Sequence, residues 1–134
     1  MADTRDNIIV EKSDKFADRI TNMYRYLSEK RLGDKDMLKQ IVRSGTSVGA
    51  NISEGQFAQG KADFLTKMTI ALKEANETRF WLKRLHGYGS LSDKEFESII
   101  KDSEEIISIL TVITKTTKEN LKKEKENKDD DNKK

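Results

Sequence analysis

A chain of 134 residues is long enough for one domain with a modest core, and 34% hydrophobic against 37% charged residues fits helices with charged outer faces. A net charge of +2 is too small to imply nucleic acid by itself; the lack of cysteine excludes disulfides and thiolate metal sites, and a single histidine, His86, excludes a histidine cluster within one chain. The opening MADTRDNIIVEKSDKF lacks the apolar run of a signal peptide, and no stretch approaches about 18 consecutive apolar residues, so the chain is expected to be cytoplasmic.

In chain order, Ile8-Ile9-Val10 reads as a short extended arm before a first helix over about 13–31. Phe16, Ile20, Met23 and Leu27 share one face of that helix, with Ser13 as N-cap and Gly33 as the stop. A second helix begins after Asp34 and carries Leu38, Ile41, Val42, Val48 and Ile52 on its inner face. The third, about 62–86, places Phe64, Met68, Ala71, Leu72, Ala75, Leu82 and Leu85 inward, and HGYGS (86–90) ends it in glycine turn chemistry. Ser92-Asp-Lys-Glu95 is a capping box opening the fourth, which continues through Phe96, Ile99, Ile100, Ile106, Ile107, Leu110 and Ile113. Nothing alternates with period two over a useful length. The pattern predicts an all-α fold, an antiparallel up-down four-helix bundle over residues 1–117. The charged segment 118–134, KENLKKEKENKDDDNKK, has too little apolar surface to offset its ordering entropy and is expected to fray and become disordered.

The stretch RSGTSVGANISEGQ (43–56) has no phosphate-loop spacing and no strand before it. On a helical projection Gly45 and Gly49 join the inner face, where a missing side chain lets a neighbouring helix come close, while Gly55 and Gly60 end the helix and form the turn. Gln40, Arg43, Ser47, Asn51 and Glu54 form a polar stripe on the opposite face. Three roles fit that stripe: a solvated surface, a structural or inter-subunit network, or a ligand site. In the network reading Arg43 pairs with Glu54 across a subunit boundary. On the third helix Ile70, Phe80 and Trp81 lie away from the core stripe, and a helix apolar beyond one stripe is buried on more than one side, which points to a partner chain.

Charge is unevenly spread: residues 61–90 hold six Lys/Arg against three acids, and residues 91–117 hold three Lys against six. The two runs are either complementary helix faces or, for the basic one, a phosphate-binding surface. Its candidate cations are Lys61, Lys67, Lys73, Arg79, Lys83 and Arg84, which spread around the helix rather than lining one groove. Enzyme chemistry finds little support. Glu74 and Glu77 have no histidine at metal-binding spacing, and His86 sits at a glycine turn with no evident orienting acid. No catalytic residue, metal or cofactor is expected.

QIVRSGTSVGANISEGQ (40–56) followed by DFLTKMTIALKEANETRFWLKRL (63–85) resembles the bacterial four-helix-bundle proteins related to those encoded by 23S ribosomal RNA intervening sequences, over roughly residues 8–117. The matching positions are Arg43, Ser44, Asn51, Glu54 and Gly55. The resemblance implies a homopentamer of up-down bundles. A more distant likeness to the accessory variability protein of diversity-generating retroelements implies RNA, or an RNA-processing or reverse-transcribing protein, as partner. The expectation is therefore a non-enzymatic assembly or adaptor protein, with a purely protein-binding scaffold free of nucleic-acid contact as the alternative and a hydrolytic enzyme as the least favoured one.

Overall fold

The apolar periodicity resolves into four helices in the computed structural model, which describes residues 4–132: α1 (Thr4–Glu29), α2 (Lys35–Gly55), α3 (Lys61–Gly87) and α4 (Asp93–Asn132). Local chemistry sets most of their ends. The Asp34 carboxylate accepts the Met37 N–H at 3.0 Å and starts α2. Ser92 and Glu95 form the reciprocal capping box of α4, with the Ser92 N–H donating to Glu95 Oε1 at 3.0 Å and the Glu95 N–H to Ser92 Oγ at 3.1 Å. Gly89, at φ 86°, closes α3 in a Schellman turn, in which the Ser90 N–H reaches back to the Leu85 carbonyl.

At its two ends α1 departs from the sequence expectation. The arm Ile8-Ile9-Val10 is helical, and Ser13 is an interior residue rather than a cap, buried and donating to the Val10 carbonyl at 3.1 Å. The cause is one stripe, Ile9, Ser13, Phe16, Ile20 and Leu27, whose burial favours helix over the extended preference of a β-branched run. The C-terminal stop is Arg31, not Gly33. Arg31 adopts φ 57° and the Leu32 N–H bonds the Leu27 carbonyl at 2.8 Å, while Gly33 (φ 84°) turns the chain two residues later.

α1 packs on α2, α2 on α3 and α3 on α4, and α4 returns against α1, giving an up-down bundle with α1 and α3 across the core from one another. Phe16, Ile20, Ile41, Ile52, Met68, Leu82, Leu85, Ile106 and Leu110 fill its centre. Two glycines bring α2 unusually close to α1. A Cβ on Gly45 would stand 2.9 Å from Ile20 Cγ2, and one on Gly49 would stand 3.4 Å from the Ser13 carbonyl oxygen. On the other flank a Cβ on Gly55 would meet Met68 Cε at 2.5 Å. Between these contacts Ser44 and Thr78 are fully buried with hydroxyl oxygens 2.8 Å apart, and Thr78 Oγ1 lies 2.8 Å from the Glu74 carbonyl. If Ser44 donates to Thr78 and Thr78 to that carbonyl, both protons are used and neither hydroxyl is orphaned.

With 40 residues against 27 in α3, α4 runs about 13 residues, or about 20 Å, past the turn between α2 and α3. The charged segment from Lys118 continues the helix as far as Asn132, exposed except for half-buried Leu121, with Glu124 paired to Lys61.

Candidate interaction surface

Counting outward from the turn between α2 and α3 places Arg43 opposite the middle of α3. There its guanidinium meets two carboxylates, donating from Nη1 to Glu74 Oε2 at 3.2 Å and from Nη2 to Glu77 Oε2 at 2.5 Å, with Nε donating to Gln40 Oε1 at 3.2 Å. Glu74 and Glu77 are one turn apart and would repel; the planar fork of an arginine serves both at once. The hydrogen bond from Arg43, reinforced by one from Trp81, holds Glu77 below the usual carboxylate range. Glu77 in turn raises the pKa of Arg43, chiefly through that same hydrogen bond.

The second oxygen of Glu77 receives the Trp81 indole N–H at 3.4 Å, and the Trp81 ring meets Phe80 edge-to-face with centroids 5.0 Å apart. The Arg84 guanidinium stands 4.5 Å over the Phe80 ring. Polar stripe and aromatic residues are thus one connected structure, running from Gln40 through Arg43, Glu77, Trp81 and Phe80 to Arg84. Trp81 also packs partly against the core, so its contribution to the outer face is limited. Phe80 and Ile70 remain exposed, at 46% and 37%.

The other stripe residues turn inward on their own helix. Ser47 Oγ donates to the Arg43 carbonyl at 2.7 Å and Asn51 Nδ2 to the Ser47 carbonyl at 2.9 Å, the back-bonding that hydroxyl and amide side chains make in helices. Glu54 accepts from Lys67 Nζ at 2.8 Å and raises the lysine's pKa through that bond. The expected pairing of Arg43 with Glu54 across a subunit boundary is corrected: each has its counter-charge on α3 of the same chain. Both lie on the flank where α2 meets α3, not squarely opposite the core. Among the candidate cations, Lys61 and Lys67 are paired with carboxylates, Arg79 donates to Asn76 Oδ1 at 2.9 Å, and Arg84 lies on Phe80. Lys73 and Lys83 are exposed.

A groove of about 510 Å³ opens on another flank, between α1 and α4, lined by Met23, Tyr26, Leu27, Leu91 and Ile99 with Arg19 at one end. Arg19 closes that end by donating to Asp102 Oδ2 at 2.5 Å and to Ser98 Oγ at 3.1 Å. Near the turn His86 does have an acid partner. Its Nε2 lies 2.6 Å from Asp93 Oδ1, and the imidazole stacks on Phe96 with centroids 4.1 Å apart, tying the end of α3 to the start of α4. Sequence reasoning missed Glu74 and Glu77 as the partners of Arg43, and missed the groove. The α2–α3 register read from the turn was the available signal for the first; the groove depends on how α1 meets α4, which no local pattern encodes.

Residues 5–112 match the family model described as 23S rRNA-intervening sequence protein. A solved structure at 1.70 Å resolution, a protein of unknown function from the S23 ribosomal protein family of Bacteroides thetaiotaomicron, is 48% identical with a TM-score of 0.79, over 84% of this chain and 99% of that one. No curated protein matches.

Proposed function

The chain belongs to the 23S rRNA-intervening sequence protein family, and from that premise we propose that it is a non-enzymatic, homo-oligomeric assembly or adaptor protein working in the cytoplasm, most simply as a pentamer. The observation that carries this reading is the outer face of α3. Phe80 is 46% exposed, braced edge-on by Trp81 and capped by Arg84, with Ile70 exposed on the same helix. An aromatic ring held in place at the surface has already lost the rotamer freedom that binding would remove, the property of interface anchors. Arg43, Lys61 and Lys67 are neutralised by carboxylates and offer little to a phosphate backbone, which leaves exposed Lys73 and Lys83 as the cations that an RNA would have to use at this face. No helix among the described residues is long and apolar enough to cross a membrane.

Native mass spectrometry at micromolar concentration is the test. Closed oligomers of one stoichiometry are expected, and monomer alone would overturn the reading. Filter binding with a structured RNA in low salt, repeated with Lys73 and Lys83 both changed to Ala, checks the adaptor's partner class. Weak binding unaffected by the change is expected; tight binding lost with those lysines would move the reading to RNA.

A further inference from the structure

We propose that the cavity between the end of α1 and the start of α2 binds a compact phosphorylated small molecule through Arg31, Lys35 and Lys39. The cavity measures about 710 Å³, and those three cations line it together with the hydroxyl-bearing side chains of Tyr24 and Ser28. Leu27 and Leu38 are buried at its base. The inference is independent of the oligomer reading above, and either can fail alone.

Two observations carry it. The first is that the charges of the cavity are unspent. Lys61 and Lys67 on α3 are each paired with a carboxylate, and Arg43 serves two. Arg31, Lys35 and Lys39 form no ion pair among the described residues. Nor does any acid among those residues line the cavity. The Asp34 carboxylate is held by the Met37 N–H and lines a different recess, with Tyr88 and Ser90. Three cations gathered without a counter-charge repel one another, and an anion seated among them would reverse that cost.

The second observation is the backbone of Arg31. It stands in the left-handed region, at φ 57°, where helices commonly end on glycine. A side chain there costs stability that glycine would spare, and strain of this kind gathers at positions whose side chains hold ligands. Arginine offers a planar fork and lysine a point charge, both suited to phosphate oxygens. Glu29, Asp34 and Asp36 stand among the three cations in sequence, outside the cavity. A nucleic-acid backbone would have to run on past these acids, whereas a compact ligand of two or more negative charges stays inside them. The Tyr24 ring and the leucine base leave an apolar wall for the organic part of such a molecule.

Isothermal titration calorimetry of the full chain at low salt, with inorganic pyrophosphate as the probe, tests this. Saturable binding at one pyrophosphate per chain is expected. Arg31→Gly, and Lys35→Gln combined with Lys39→Gln, should each weaken it about tenfold or more, the scale of losing a charge-assisted hydrogen bond. Lys73→Ala combined with Lys83→Ala should leave it unchanged. Absence of pyrophosphate binding would overturn the proposal, as would undiminished binding in Arg31→Gly or in the Lys35 and Lys39 double variant. Equal loss in the Lys73 and Lys83 variant would overturn it too, since the protein's overall positive field would then hold the anion. A single-stranded RNA without terminal phosphates is the second probe. Weaker binding than pyrophosphate is expected, and tighter binding lost with Arg31→Gly would replace the compact ligand by a nucleic-acid backbone. Circular dichroism checks that each variant folds; should Arg31→Gly fail, Arg31→Gln removes the charge without changing the demand on the backbone and should show the same loss.

Discussion

Gly45→Ala adds one methyl where α1 and α2 are closest. That methyl would stand 2.9 Å from Ile20 Cγ2 and 3.0 Å from Cγ1. Ile20 is fully buried and β-branched, so it has little rotational freedom with which to withdraw. Overpacking of this kind costs about 1–3 kcal/mol, against which alanine gains about 1 kcal/mol in helix propensity over glycine. The expected result is a net loss of about 0–2 kcal/mol. Gly49→Ala, one turn along the same seam, meets only the Ser13 carbonyl oxygen at 3.4 Å, so most of its propensity gain of about 1 kcal/mol survives. The two identical substitutions should thus differ by about 1–3 kcal/mol, separating melting temperatures by about 4–11 °C for a chain of this size. Thermal melts followed by circular dichroism, at equal protein concentration, measure the gap. A second variant locates the clash. Ile20→Val keeps both γ-carbons and should not relieve Gly45→Ala, whereas Ile20→Ala should cost about 1 kcal/mol less in that background than in the wild type. Gly45→Ala melting at or above Gly49→Ala would refute the reasoning, because the two helices would then have slack where they are closest.

Arg43→Ala leaves Glu74 and Glu77 facing one another without a cation, and should cost up to about 1 kcal/mol in urea unfolding, since the arginine is half exposed and solvent screens the pair. Arg43→Lys should recover only part, because an ammonium cannot present the same fork to both carboxylates. Acid should destabilise through the same residue: Glu77 is held below its ordinary value of 4.5, so its stabilisation is complete above about pH 4.5 and is lost as pH falls through the lower folded-state value. Urea midpoints should drop below pH 4.5, and less steeply in Arg43→Ala; equal slopes would detach Glu77 from Arg43. Arg31→Gly should stabilise by up to about 1 kcal/mol, since a non-glycine residue holds a left-handed conformation there; a lower melting temperature would give the Arg31 side chain a role outweighing that cost.

Most of the fold is legible because its signals are local. Asp34, the Ser92–Glu95 box and the apolar stripes of α2, α3 and α4 can each be read within a few turns, and the inward placement of Gly45 and Gly49 follows from projection alone. The start of α1 was hidden by two local cues that tertiary packing overrides. Ile8-Ile9-Val10 favours extended backbone, and Ser13 reads as a cap unless its burial beside Gly49 is known. The candidate site was half legible. The residues of the polar stripe and of the aromatic face could be named, but that Glu77 joins them through Arg43 and Trp81 depends on the register between α2 and α3. The α1–α4 groove depends on two helices at opposite ends of the sequence.

The close approach of α2 also bears on the order in which the chain folds. Its second half holds Gly45, Gly49 and Gly55 among Ser44, Thr46, Ser47, Asn51 and Ser53, a composition that holds a helix poorly by itself. α3 and α4 are joined by a Schellman turn followed by a capping box, so that hairpin can form from contacts close in sequence. In the folded chain the bare backbone of α2 is covered by Ile20 at Gly45 and by Met68 at Gly55, contacts with the neighbouring helices that the α3–α4 hairpin does not need. Mutations in the α3–α4 hairpin should therefore slow folding, while mutations along the glycine face of α2 should mainly speed unfolding.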